Sequence, residues 1–550
     1  MYSVDAKNVQ LIVGYSDVFQ GEIPNLKKEI KNLNMHKAVS IICELVRIRD
    51  AMMEPIQNLW GEFRIPFETV LKKQMCGIDP KSPEEIFSNR LFRKDVHIIS
   101  VQMLLILLKK IVQYGDYKTM NDTEYEILED DYRKVIQLQL VVAEEVNRKH
   151  KKDFDINHFL YSTYHLNYQR NVAQGFLRMY YMMEKLSRDK SEFDFKIQNE
   201  YRDYYTAFTE KYGFTPTQYS SLLFGELQPY YSDVSGLVYT SIWRDIDKVY
   251  GKTKEKGLIS SVIGVLSQPI ENYCEWSAQT EEQEWDFSRF MEFPFIVDNS
   301  GKYISISDIT LRNAFFEKIF WLIRNCYSKK DSRAMAFFGR LFERYIQDVT
   351  QNVAKEDYVY IPEFTYRENK KEKKSSDAYI RKGSNLLVVE AKGFSVLLAC
   401  MTKNEQIEKN NDKLFVDPIL QADLCLATVI EDNPDFEGVE SAYIISVTMD
   451  NINAVPDYYN EIHENIEKGK VCNRTKYYYN FSIEEYEMLL YIIEQQYDIF
   501  SLLKEYYEDE RLKPFSNYLQ EKRPNIGMTV FMEKLYQEAT EQMKEMLFSE

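Results

Sequence analysis

The chain has 550 residues, 45% of them apolar and 28% charged, with 41 tyrosines and 32 phenylalanines, a composition that can build packed cores in about two to four domains and excludes general disorder. Its formal net charge of −17 and pI near 5.1 speak at first against a polyanionic partner. The opening MYSVDAKNVQ lacks the basic-then-apolar design of a signal peptide, and the most apolar run, Val96 to Leu108, contains His97, Ser100 and Gln102 and is too short to span a bilayer, so a soluble, cytoplasmic protein with no membrane partner is expected.

Residues 1–290 are expected to be predominantly α-helical. Pro24 to Met53 has helical periodicity, Ser82-Pro83-Glu84-Glu85 opens a helix that continues to Tyr114, Asp122 to Asn147 makes another, and Thr215-Pro216 starts one more. The tyrosine-rich stretches Tyr161 to Tyr181 and Tyr201 to Tyr205 have the chemistry to stack on bases, but core packing is the stronger reading. Gly251-Lys252-Thr253 imitates the end of a phosphate-binding loop, yet Ile246 stands where that loop needs glycine. The role of this region stays open among target recognition, regulation and a seat for a partner protein or a second copy.

Near residue 290 the pattern changes. Phe293 to Val297 and Tyr303 to Ser307 flank Asp298-Asn299-Ser300-Gly301 as a hairpin. A helix over Asp308 to Tyr327 follows. Ala334, Phe338, Leu341, Phe342, Tyr345 and Val349 then fall at helical spacing, with Ser332 available as cap. Gly339 and Glu343 sit together at the edge of that stripe, where a glycine one turn before an acid lets the helix approach a sheet and aim the carboxylate. A solvated helical glutamate is the plainer alternative. A strand over Tyr358 to Tyr366 and a charged loop, Arg367 to Lys374, lead to Asp377.

Asp377 to Arg381 and Leu386 to Lys392 suit strands, with Lys382-Gly383-Ser384-Asn385 as the turn. Counting back from that turn pairs Arg381 with Leu386 and Ile380 with Leu387, and sets Asp377 across from Glu390. Such partners have Cβ atoms roughly 4.5–5.5 Å apart. Two facing carboxylates repel unless a cation sits between them, and Mg²⁺ is bound by one or two carboxylates and water. Alternation puts Lys392 on the face of Glu390. Glu-x-Lys recurs at Glu29, Glu368 and Glu372; only Glu390 ends a buried-type run, Leu386 to Val389.

Further on, Asp417 is a candidate N-cap and Pro418 suits the first helical position, which places Gln421 in a first turn that favours anions, although an ordinary polar residue fits equally well. A strand over Ser441 to Thr448, a shorter one near Tyr477 and a capping box at Ser482 and Glu485 come next. The segment 496–550 is expected to be helical.

The acids and the lysine, in their order along the chain, resemble the PD-(D/E)xK nuclease superfamily, whose core is the restriction-endonuclease-like fold. The match covers about 290–495: Glu343 in Gly339-Arg-Leu-Phe-Glu343-Arg-Tyr, then Asp377, then Glu390-Ala391-Lys392, with Gln421 where many members carry a glutamine. Ser376 replaces the proline that names the motif. The chain is expected to be α+β and multidomain: patterning gives a helical region over 1–290 and a helical C-terminal segment over 496–550, and the resemblance implies a restriction-endonuclease-like nuclease domain with a mixed sheet over 291–495. It implies metal-dependent phosphodiester hydrolysis with Mg²⁺, for which Mn²⁺ substitutes, held by Asp377, Glu390 and the Ala391 carbonyl. Glu343 would hold a second ion or its water, and Lys392 would act on the attacking water. DNA is the expected substrate, and bacterial restriction or anti-phage defence the expected setting. The alternative is a non-catalytic nucleic-acid-binding or scaffold protein on a degenerate nuclease fold.

Charge distribution fits a nucleic-acid partner better than the total does. Between Tyr366 and Lys413 there are eleven Lys and Arg against seven Asp and Glu, a net of +4 that leaves −21 on the rest. Arg367, Lys370, Lys371, Lys373 and Lys374 are the candidates for phosphate contact, a solvated loop being the equal alternative. The seven cysteines are scattered and never in C-x-x-C, which argues against a disulfide framework and structural zinc. Of six histidines only His463 follows residue 165, so histidine-based metal chemistry lacks residues in the C-terminal half.

Overall fold

The computed structural model describes residues 11–547 except 20, 49–71, 74–95, 117–119, 121–124, 150–155, 168–170, 232–241, 254, 369, 397–406, 450–454, 510, 512 and 524. The chain is α+β, with mixed sheets and a helical C-terminal end. Among the described residues the strands in chain order are β1 (Leu11–Ile12), β2 (Val96–His97), β3 (Ser267–Pro269), β4 (Phe295–Val297), β5 (Tyr303–Ser305), β6 (Val359–Pro362), β7 (Thr365–Glu368), β8 (Lys371–Lys374), β9 (Ala378–Lys382), β10 (Asn385–Lys392), β11 (Ser441–Thr448) and β12 (Thr475–Ser482). Among the described residues, no helix is long and apolar enough to cross a membrane.

The sheet that carries the candidate site has the order β12-β11-β10-β9-β6. β6, β9 and β10 pair antiparallel, whereas β10, β11 and β12 run parallel. Parallel neighbours need crossovers, and helices between β10 and β11 and between β11 and β12 supply them. Alternation assigns the two faces of β10: Leu387, Val389 and Ala391 share a buried cluster with Phe342 and Tyr345 of the helix Ser332–Val353 and with Leu489 of the helix Ile483–Glu494. Leu386 and Val388 join Ile419, Ala422 and Leu426 of the helix Asp417–Val429 on the opposite face. Both faces are covered, which is why this strand reads as a continuous apolar run.

The first cluster extends from Val172 to Ala539, so it crosses residue 290 without interruption. Arg178, from the helix Val172–Tyr180, is buried against Glu484 and Glu487 of the helix Ile483–Glu494, with Nε to Glu487 Oε1 at 2.9 Å. The expected hairpin at 295–305 forms, but in a separate three-stranded sheet whose remaining strand, β3, precedes residue 290.

Several elements differ from expectation. Ser82 to Glu85 lie outside the described residues; the apolar helix starts at Val101, capped by Ser100, because Val96 and His97 pair with β1 instead. The next helix begins at Glu129 rather than Asp122. Thr215 opens its helix with a full capping box. Tyr161, Tyr180 and Tyr204 are buried, so these tyrosines serve packing. The helix at Asp308 contains a π-turn, Ala314–Lys318. The cap of the Glu343 helix is Asp331, which accepts from Arg333 and Ala334, and not Ser332. The strand expected over Tyr358 to Tyr366 breaks after Pro362, whose missing N–H ends edge pairing. Arg367, Glu368 and Lys371 to Lys374 are no loop; they belong to the exposed hairpin β7–β8, with Lys370 at φ +66° in its bend. β12 has eight residues and is not short. The five described cysteines, Cys43, Cys274, Cys326, Cys425 and Cys472, are free.

Candidate active site

The β9–β10 hairpin closes through Gly383 and Ser384, one residue tighter at each end than expected, with Gly383 at φ +60° as a two-residue primed turn requires at its first position. The register itself is as counted from the sequence: Leu386 faces Arg381, Leu387 faces Ile380 and Val389 faces Ala378. The paired residues end at Ala378; Asp377 lies just before it, outside the strand and within electrostatic reach of Glu390. Both acids are buried, at 6% and 4% exposure. Asp377 Oδ2 accepts a hydrogen bond from the Ala391 amide at 2.7 Å, and Lys392 Nζ donates to Glu390 Oε1 at 2.9 Å.

This patch holds more negative charge than its protein cations balance. Burial, then the charges of Glu390 and Glu343, push the Asp377 carboxyl well above the ordinary aspartate range, against the Ala391 amide and Lys392. Burial also raises Glu390, with Lys392 the main opposing influence. For Lys392, burial disfavours the ammonium, but Glu390, Asp377 and Glu343 more than offset it and hold the group above its usual value.

Glu343 comes from the layer on the other side of the sheet. It is half-buried and paired with Arg340 at 2.9 Å, while remaining within electrostatic reach of all three site residues. The close approach expected at Gly339 is made elsewhere, since nothing lies within 4 Å of a Cβ placed there. The tight contact is at Gly393, just past β10, where an added Cβ would lie 2.9 Å from Phe342 Cβ.

Gln421 is exposed, and it is not in the first turn of a free helix end. The helical path runs from Ile407 through a π-turn, Asp412–Val416, directly into Asp417–Val429. Pro418 has no N–H to continue the ladder, and the π-turn absorbs the lost bond. Asp417 is therefore helical and not a cap, and the anion-binding argument for Gln421 falls away. One turn further on, Cys425 is buried beneath the site face, with Tyr379 Oη at 3.9 Å from its Sγ and Tyr366 and Glu390 close enough to shift its thiol. Sequence reasoning assigned Cys425, which stands where some members of the resembled family have Tyr, and Tyr366 no role at the site, although period-2 alternation from Asp377 already put Tyr379 on this face. Ser376 Oγ is buried here too, lies near enough to Glu390 to favour its charged form, and makes no well-formed hydrogen bond.

The candidate phosphate contacts divide into two groups. Lys373 pairs with Glu368, and Lys374 pairs with Glu363 at 2.8 Å and with Asp194 at 3.6 Å. Arg367, Lys370 and Lys371 are exposed and have no acidic partner among the described residues.

Among the described residues no three of His, Cys, Asp and Glu converge to hold a metal ion, so Glu343 is not brought into one ligand set with Asp377 and Glu390. Two carboxylates still fit Mg²⁺, which keeps most of its waters and takes few protein oxygens. Asp377 Oδ1 accepts from no protein donor among the described residues, and the surplus charge and the orphaned Ser376 hydroxyl suit a hydrated cation.

No protein-family model, curated protein or solved structure matches this chain. What the structure brings together is two buried acids, Asp377 and Glu390, with Lys392 bonded to Glu390 and Glu343 within electrostatic reach.

Proposed function

We propose that the chain is a metal-dependent nuclease of PD-(D/E)xK type that hydrolyses phosphodiester bonds in DNA. The observation that carries this reading is that the carboxylate of buried Asp377 accepts from the amide of Ala391, the neighbour of buried Glu390, while Lys392 is bonded to Glu390. The five-stranded mixed sheet covered by helices on both faces supports a restriction-endonuclease-like core.

Asp377, Glu390 and the Ala391 carbonyl would hold Mg²⁺, which supplies charge neutralisation at the scissile phosphate and a lowered pKa for water. The Ala391 amide fixes the Asp377 carboxylate by its 2.7 Å hydrogen bond. Lys392 stays protonated beside Glu390 and offers its ammonium to the attacking water and the developing charge. Glu343, steadied by Arg340, contributes negative potential and a seat for water rather than a third ligand.

The test is incubation of plasmid, linear duplex, single-stranded DNA and RNA with the full chain in Mg²⁺ or Mn²⁺, with a chelator control. Metal-dependent cutting of DNA is expected. A protein that cuts no polymer with either ion contradicts the proposal.

A further inference from the structure

Residues 190–200 link two helices through the 3-10 turns Lys190–Glu192 and Ile197–Asn199 and lie along the Glu343 helix. Phe193 is buried with its ring 5.1 Å from that of Phe337, and Tyr201 packs on the same ring at 5.1 Å. Arg202 grips Asp331, the cap of the Glu343 helix, through Nε at 3.0 Å and Nη2 at 3.1 Å. The segment is thus pinned by an aromatic anchor and a bidentate ion pair.

Its acids, beside and between the pins, meet cations of the Glu343 helix and of β8. Glu200 accepts from Arg340 Nε at 3.2 Å, the same arginine that holds Glu343. Glu192 pairs with Arg344 at 3.5 Å and Asp194 with Lys374 at 3.6 Å, while Lys196 reaches Glu372 of β8 at 3.1 Å. Arg344 and Lys374 also have partners nearer their own elements, Asp348 at 3.0 Å and Glu363 at 2.8 Å, so the segment's carboxylates are their second contacts. Carboxylates on arginine and lysine occupy the geometry that phosphate oxygens would take.

We propose that residues 190–200 form an acidic strap over a phosphate-binding strip made of Arg340, Arg344 and Lys374, and that a nucleic-acid backbone displaces this strap to reach Asp377 and Glu390. The proposal rests on the nuclease reading above. The strap's ion pairs are half-exposed and individually weak, so a polyanion can replace them. Phe193 and Arg202 keep the displaced acids nearby, making the strap an intramolecular competitor whose effect is strongest at low salt.

The experiment compares binding of a labelled duplex DNA by full-length Asp377→Asn with binding by the same protein carrying Glu192→Gln, Asp194→Asn and Glu200→Gln. Neutralising the strap is expected to tighten binding about tenfold at low salt. The two proteins should converge at high salt, and adding Arg344→Ala and Lys374→Ala should remove the gain. Equal or weaker binding by the neutralised strap, or no binding by either protein, overturns the proposal. Cleavage by Asp377-intact versions, read in parallel, separates the two claims. A binding gain without any cleavage keeps the strap and defeats the nuclease, whereas cleavage without a gain does the reverse.

Discussion

Gly393 and Phe342 lie back to back where β10 meets the Glu343 helix, close enough that a Cβ on Gly393 would come within 2.9 Å of Phe342 Cβ. The helix can bring Glu343 toward Asp377 and Glu390 only because residue 393 has no side chain. Gly393→Ala is expected to destabilise by about 1–3 kcal/mol through overpacking and to lower cleavage by moving Glu343. Gly339→Ala, in the same helix with nothing within 4 Å, should instead stabilise by about 0.5–1 kcal/mol. Denaturant midpoints of the two variants check this; shifts of the same sign would contradict it.

Arg178 is 1% exposed and binds Glu487 in a bidentate pair, at 2.9 and 3.0 Å, with Glu484 at 3.3 Å. Removing one side of a buried pair leaves uncompensated charge, so Arg178→Met should cost about 3–5 kcal/mol by chemical denaturation. A fragment beginning at residue 291 lacks Arg178 altogether and should fail to fold. A soluble, cooperatively melting fragment would show that the helical region is separable.

Arg367, Lys370 and Lys371 are the hairpin cations without acidic partners among the described residues, while Lys373 is engaged by Glu368. Replacing the first three by alanine should weaken duplex binding and reduce the slope of log K against log salt by about 3. Lys373→Ala should change that slope by less than about 1. Titrations at several salt concentrations distinguish the groups; equal effects would mean that the ion pair does not withhold Lys373.

His463 packs between Tyr459 and Tyr478, with ring centroids 4.2 and 4.9 Å away, and burial lowers its pKa from 6.5 to about 4 against the pull of Glu467. The unfolded chain takes up this proton first. Stability is therefore fully present above pH 6.5 and falls as pH drops toward 4, by about 3 kcal/mol for this group. His463→Phe should flatten that part of the profile. An unchanged fall between pH 7 and pH 4 would assign it to other groups.

The hairpin register was legible because alternation and a Gly-containing turn constrain each other, and one buried run of β10 fixes every neighbour. Gln421 was misplaced because a proline after an aspartate is a local start signal, whereas the helix arriving from Ile407 overrides it through a π-turn. The lysine-rich arm looked like a loop because lysine suits strands poorly, yet the ladder pairs Glu368 with Lys371 and Tyr366 with Lys373, and the diagonal ion pair of Lys373 with Glu368 adds to it. Neither the Gly393 contact nor the strap has a sequence signature, since each joins segments far apart in the chain through shape or charge alone.

The most direct measurement is cleavage of DNA in Mg²⁺ by the wild type, Asp377→Asn and Lys392→Ala, with the fold of each checked by its thermal midpoint. The expected result is metal-dependent cutting by the wild type and loss of at least about a hundredfold in both variants at unchanged fold. Equal cutting by folded variants would place the chemistry elsewhere and contradict the assignment of Asp377, Glu390 and Lys392.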